Sequence, residues 1–183
     1  AVATAFALAV TYPRAGNLGG GGFLLYRRPD GSHQALDFRE TAPAALTPAL
    51  FIDASGTIDP AKSANGGLSV GVPGSVAGLA EAHRRWGSRP WAELIAPAIR
   101  LASEGVTVSE RAAETFAQEN SRLALDPPAR AIFTNEGQPL RAGARLVQKD
   151  LATTLRAIAK DGSSGFYSGP VAAAIVKGVA SAG

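Results

Sequence analysis

Two residue types are missing altogether: the 183 residues contain no cysteine and no methionine. Without cysteine there is no disulfide, no thiolate metal site and no cysteine nucleophile within these residues, and the redox compartment stays open. Histidine is scarce. His33 and His83 are the only two, and neither has carboxylates at a spacing that metal ligation uses, so both are expected at the surface. Charge of one sign is also in short supply. The formal net charge is +3, and Arg27-Arg28 and Arg84-Arg85 are the only adjacent basic pairs. That scatter describes a solvated surface and argues against a nucleic-acid partner, which would need clustered bases on one face. No apolar run is long enough to cross a bilayer. Ala1 to Val10 is too short for a membrane span and lacks the charged region of an intact signal peptide.

Nucleotide-binding signatures are missing too. Neither GxxxxGK[ST] nor a strand-to-helix GxGxxG occurs, so no cofactor is expected. The opening Ala-Val-Ala-Thr-Ala-Phe-Ala lies inside an apolar helical pattern with no initiator and no N-cap. A piece cut from a longer polypeptide is the expectation.

What is present is a core-forming chain. At 46% hydrophobic, residues 1–183 suffice for a single domain with a sizeable core and are too few for two comfortable ones. Helical periodicity dominates. Ala1 to Thr11 is apolar on nearly every side, as in a helix packed between other elements, and Tyr12-Pro13 ends it. Ser75 is a good N-cap for a helix reaching Trp86-Gly87, with Val76, Leu79, Ala80 and His83 on one face. Trp91 to Glu104 repeats the pattern and Gly105 stops it. Ser109 caps a more polar helix through about Leu123, which Asp126-Pro-Pro-Ala breaks. A connecting loop with an extended piece at Ile132-Phe133 is expected next. A helix opened by Asp150 follows, then a flexible turn from Gly162 to Gly165, then a last helix from Gly169-Pro170. Residues 41 to 69 show little periodicity and read as a long irregular loop.

One stretch reads differently. Gly19, Gly20, Gly21 and Gly22 lead into the apolar run Phe23 to Tyr26, and Pro29-Asp30-Gly31 turns the chain into a second run, Gln34 to Phe38. This is a β-hairpin with a mechanism for its turn. The glycines allow positive φ or close backbone approach, and tight packing beside a pocket is the use expected of them. A lone two-stranded hairpin is only marginally stable, so its strands are expected to complete a larger sheet supplied from elsewhere.

Arg39 stands at the tip of the second run. Alternation along a strand puts Leu36 and Phe38 on one face and Asp37 and Arg39 on the other. A planar, permanently charged guanidinium there suits bidentate capture of a carboxylate, whereas an internal ion pair with Asp37 or Glu40 is the competing reading.

Five segments carry a resemblance. NLGGGGF (Asn17 to Phe23), LDFRETAP (Leu36 to Pro43), VGVPGSVAGL (Val70 to Leu79), WAELIAPAIRLASEG (Trp91 to Gly105) and FYSGPVAAAI (Phe166 to Ile175) are similar to consecutive signatures of the γ-glutamyltranspeptidase large subunit. GGGG alone is weak; LDFRETAP followed by VGVPG and PWAELIAPAI is specific. The resemblance implies an α+β fold, part of the αββα sandwich of an N-terminal-nucleophile hydrolase, in which this chain is mostly helical with a short β-hairpin. It also implies a proenzyme that cleaves itself, with a small subunit as partner and a γ-glutamyl small molecule as substrate.

In that family the arginine of the DFRE segment holds the substrate's α-carboxylate, a role that falls on Arg39. Gly19, Gly20, Gly21, Gly22, Asp37 and Glu40 are the candidates for supporting that pocket. The threonine nucleophile belongs to the small subunit, so no catalytic residue is expected in this chain, which alone should be inactive. A cephalosporin acylase-like member, or a non-catalytic fragment or paralogue serving as a structural partner, remain the alternatives. Bacterial members imply a periplasmic or secreted location.

Overall fold

A computed structural model describes all of residues 1–183. In chain order the elements are α1 (Val2–Thr11), β1 (Phe23–Arg27), β2 (His33–Asp37), α2 (Pro60–Ala64), α3 (Ser75–Trp86), α4 (Trp91–Glu104), β3 (Val106–Thr107) and α5 (Glu110–Gln118). They continue as α6 (Asn120–Leu123), α7 (Pro127–Phe133), β4 (Thr134–Asn135), β5 (Gln138–Pro139), β6 (Arg145–Leu146), α8 (Lys149–Asp161), α9 (Ser164–Tyr167) and α10 (Gly169–Ser181). All the strand pairs are two-stranded and antiparallel. The class is α+β, as expected. No helix is long and apolar enough to cross a membrane.

The residues group into two compact units. The first comprises Ala1–Asn17 and Arg89–Lys160. Here α1 packs along α4, and Phe6, Val10, Ile95, Ala98, Ala102, Leu155 and Ile158 are all buried. Phe6 meets Trp91 edge to face at 5.5 Å, and the Trp91 indole N–H donates to the Ile158 carbonyl at 2.8 Å. Buried Gln148 donates its amide to the Val10 carbonyl at 2.9 Å, satisfying a helix-end acceptor that water cannot reach. Gly105, at φ 89°, stops α4 as anticipated. A smaller cluster forms around Val108, Phe116 and Leu146, with Ile132, Phe133 and Leu140 packed against it.

Several expectations for this unit change. Asp126-Pro-Pro starts a helix as well as ending one: the Asp126 carboxylate accepts the Ala129 N–H at 3.3 Å, and Pro127, in the first turn, has no N–H to lose. Ile132 and Phe133 therefore close α7; they are not extended. The extended pieces lie just beyond, where β4 and β5 are joined through Glu136 (φ 51°) and Gly137 (φ 79°). Both central residues have positive φ, the geometry of the tight hairpin turn whose twist matches the strands.

The second unit comprises Leu18–Ser88 and Asp161–Gly183. Its hairpin pairs Phe23 with Asp37, Leu25 with Ala35 and Arg27 with His33. One face lies on α3: Tyr26 stacks on Trp86 at 4.6 Å, and the Trp86 indole N–H donates to the Gln34 side-chain oxygen at 3.0 Å. Phe23 and Leu25 stand on the other face, 65% and 82% exposed. Residues 41 to 69 are more ordered than their composition suggests. Pro48–Phe51 and Gly67–Ser69 form 3-10 turns, and Asp59 caps α2 by accepting the Ala61 N–H at 2.9 Å. Such single-turn pieces are too short to leave a periodic signal. Likewise α9 begins inside the stretch Gly162 to Gly165 that reads as a turn.

Candidate functional site

The N-terminus of α3 needs partners that its own sequence does not provide. Gly74, not Ser75, is the N-cap, and no side chain of its own caps the helix. The first N–H groups of a helix have no partner within it. Here the Gly74 and Ser75 N–H groups both donate to the Gly20 carbonyl, at 2.8 and 2.9 Å. The Ala77 N–H donates to the Tyr167 hydroxyl at 3.2 Å, and that hydroxyl donates in turn to the Pro73 carbonyl at 2.8 Å. Burial pushes the Tyr167 phenol above its usual range, with the Ala77 bond opposing it. Thus the glycine quartet, the VGVPG segment and the FYSGP segment meet at one helix end.

The DFRE segment meets them there. Gly22 and Phe38 exchange backbone bonds at 2.9 and 3.3 Å, extending the hairpin ladder by one pair. At Gly21 a Cβ would lie 2.5 Å from the Phe38 carbonyl oxygen and 2.8 Å from the Arg39 Cα. Gly21 is therefore used for close approach. The other use expected of the quartet, positive φ, is not found: none of the four adopts it. Gly20 is buried and Gly19 exposed.

Asp37, Arg39 and Glu40 are all exposed. Asp37 Oδ1 accepts the Arg39 backbone N–H at 3.0 Å. The ion pairs of the chain join Glu81 to Arg84 and Arg85, Arg89 to Glu93 and Arg122 to Glu119, and Arg39 belongs to none of them. Just past it, Thr41 and Val72 form an isolated antiparallel bridge through bonds of 2.8 and 3.4 Å. No three His, Asp or Glu side chains stand close enough to hold a metal ion. His33 starts β2, exposed, and His83 lies on α3, half-buried.

The family model described as gamma-glutamyltranspeptidase matches residues 1–183. The chain belongs to the γ-glutamyltranspeptidase family. The glutathione hydrolase proenzyme of Pseudomonas sp. (strain A14) is 44% identical to it over 184 residues, covering 100% of this chain and 32% of that protein. The crystal structure of Helicobacter pylori gamma-glutamyltranspeptidase superposes with a TM-score of 0.93 at 42% identity, covering 96% of this chain and 51% of that one. Cephalosporin acylase from Bacillus halodurans is more distant, at 31% identity and a TM-score of 0.84, over 96% of this chain and 33% of that one. The chain spans about a third of the length of the curated relatives it matches.

Taken one by one, the motifs do not single out Gly74, Gly78 and Tyr167. A Cβ on Gly74 would fall on the Phe38 carbonyl oxygen, and one on Gly78 would fall inside the Phe38 side chain. Gly74 and Gly78 are four residues apart, hence on one face of the helix start. That spacing is the signal the sequence offers. The Tyr167 bonds, across 90 and 94 residues, leave no local trace.

Proposed function

We propose that the protein containing this chain is a γ-glutamyltransferase and glutathione hydrolase, and that Arg39 holds the α-carboxylate of the γ-glutamyl donor. The observation carrying this is the place of Arg39 within a family-matched motif: an exposed guanidinium, outside every ion pair, on backbone bonded on both sides. A fork of fixed geometry meets a carboxylate in two parallel charge-assisted bonds. A fixed backbone sets the point from which the fork departs and so reduces the ordering needed on binding.

The bond-making groups lie in a small subunit outside this chain. There a terminal threonine attacks the γ-carbonyl carbon through its hydroxyl oxygen while its own α-amine takes the hydroxyl proton. Backbone N–H groups stabilise the tetrahedral oxyanion. The amine leaves with that proton, an ester to threonine forms, and water or an amino acid then takes the acyl group. Arg39 fixes the donor by its far end and joins none of these steps. Gly19, Gly20, Gly21, Gly22, Asp37 and Glu40 support the pocket by holding Arg39 in place. The location is periplasmic or secreted, which fractionation of the full-length protein checks.

The test is release of p-nitroaniline from a γ-glutamyl anilide by the full-length protein. Arg39→Ala should raise KM with little change in kcat; an unchanged KM overturns the assignment. A second reading, acylase action on glutaryl-cephalosporins, is favoured by the likeness to the Bacillus halodurans enzyme. A glutaryl group keeps the carboxylate and lacks the α-amine, so Arg39 would serve either substrate. Turnover of the glutaryl compound in preference to the γ-glutamyl anilide would select the acylase.

A further inference from the structure

Arg39 sits on a short span bonded at both ends. On one side Phe38 and Gly22 exchange two backbone bonds, and on the other Thr41 and Val72 exchange two more. Bridges of this kind fix where the backbone runs. They resist less well a roll about its own axis, which would swing every side chain on the span. The side chain placed to stop that roll is Phe38. Its ring occupies the space that a Cβ on Gly78 would need, so it rests directly on the backbone of α3. Arg39 follows Phe38 directly on this span, so a ring held down on α3 fixes the backbone from which the Arg39 side chain departs. Turning Arg39 aside would lift the ring off the helix.

The geometry points to Phe38 as a positioning residue for Arg39, acting through the cradle that Gly74 and Gly78 leave open on α3. This rests on the reading of Arg39 as the carboxylate-binding group. Phe38 itself touches no substrate. Its function is to fix the direction in which the guanidinium leaves the strand, and with it the selectivity for donors that carry a carboxylate at the far end. The absence of a side chain at Gly74 and Gly78 is thereby a requirement of the substrate pocket as well as of packing.

The experiment compares Phe38→Met and Phe38→Leu with Arg39→Ala, and with each double variant, in the full-length mature enzyme using a γ-glutamyl p-nitroanilide. Methionine is about the size of leucine but unbranched and flexible, so it can fill the irregular gap that the lost ring leaves, and this variant matures even where branched leucine fits poorly. Each Phe38 variant should raise KM about fivefold and keep kcat within about twofold. In the Arg39→Ala background the same substitutions should change KM no further, because an arginine that is gone cannot be misplaced. A purely structural residue would act equally in both backgrounds. Phe38 effects that multiply in full with that of Arg39→Ala, that fall on kcat, or that leave KM unmoved overturn the inference. An Arg39→Ala variant with unchanged KM sinks the carboxylate reading instead, so the two failures are told apart.

Discussion

The Tyr167 hydroxyl accepts the Ala77 N–H at 3.2 Å and donates to the Pro73 carbonyl at 2.8 Å, capping α3 from 90 residues away. A serine or aspartate at the N-cap ordinarily accepts such an N–H; with glycine there, a tyrosine from another segment takes its place. Tyr167→Phe removes only the oxygen. With the site partly open to water, the expected loss is about 1 kcal/mol, read as a lower denaturant midpoint for the full-length protein. The phenol titrates above its ordinary value because burial disfavours the phenolate. Its contribution is therefore present at neutral pH and fades as the pH rises through that elevated pKa.

Two glycine substitutions should differ in sign. Gly74→Ala puts a methyl group on the Phe38 carbonyl oxygen, a backbone atom that cannot swing aside; a destabilisation of about 3 kcal/mol is expected. Gly178→Ala, within α10 and with nothing within 4 Å of the added carbon, should stabilise by about 0.5–1 kcal/mol through helix propensity and a less disordered unfolded chain. Thermal unfolding of both variants decides. Equal shifts would mean that Gly74 is not crowded.

α4 and α8 were legible in the sequence because each turn repeats the same apolar face, and α1 because it is apolar on nearly every side over more than two turns and ends at Tyr12-Pro13. The hairpin was legible because Pro-Asp-Gly sits between two β-prone runs, although its strands end one residue away from the expected limits. α7 was not. Asp-Pro-Pro both stops the preceding helix and caps the next, and composition alone does not say which effect prevails. Ser75 reads as a cap only while the long-range partners of Gly74 are unknown. Arg39 was visible as a strand-end cation. What holds it, namely Phe38 against Gly78 and Thr41 against Val72, pairs residues some 30 to 40 positions apart in sequence and has no local pattern.

Glu81 offers a pH-dependent test. Hydrogen bonds from Arg84 and then Arg85, at 2.7 and 2.6 Å, pull its carboxyl down to about 2 from an ordinary 4.5. A depressed carboxylate stabilises the fold above its unfolded pKa and loses that contribution as the pH falls through the folded value. The window runs from about 4.5 down to about 2. Carbon-detected NMR should place the Glu81 midpoint near the lower limit in the native protein, and in Arg84→Ala it should move upward. A midpoint near 4.5 in both would show that the pair is not formed in solution.

Capping of α7 can be isolated from packing. Asp126 is exposed, and its carboxylate accepts the Ala129 N–H. Asp126→Ala should cost about 1 kcal/mol, and Asp126→Asn, which keeps an acceptor oxygen, a small fraction of that. If the two variants unfold at the same denaturant concentration, the cap is not what the carboxylate contributes.

The last prediction separates charge from geometry beside Arg39. Asp37 is adjacent to the proposed carboxylate site, and a second negative charge there would by itself weaken donor binding. Its Oδ1, however, accepts the Arg39 backbone N–H at 3.0 Å and so helps set the turn from which the guanidinium departs. Asp37→Asn keeps that acceptor and removes the charge, whereas Asp37→Ala removes both. If geometry dominates, KM for a γ-glutamyl anilide should stay within about twofold in the asparagine variant and rise about fivefold in the alanine variant, the loss of one backbone-orienting bond. If charge dominates, both variants should bind the donor more tightly than the unaltered enzyme, because close-range repulsion then outweighs one exposed hydrogen bond. The two expectations have opposite signs in the alanine variant, so a single steady-state comparison distinguishes them.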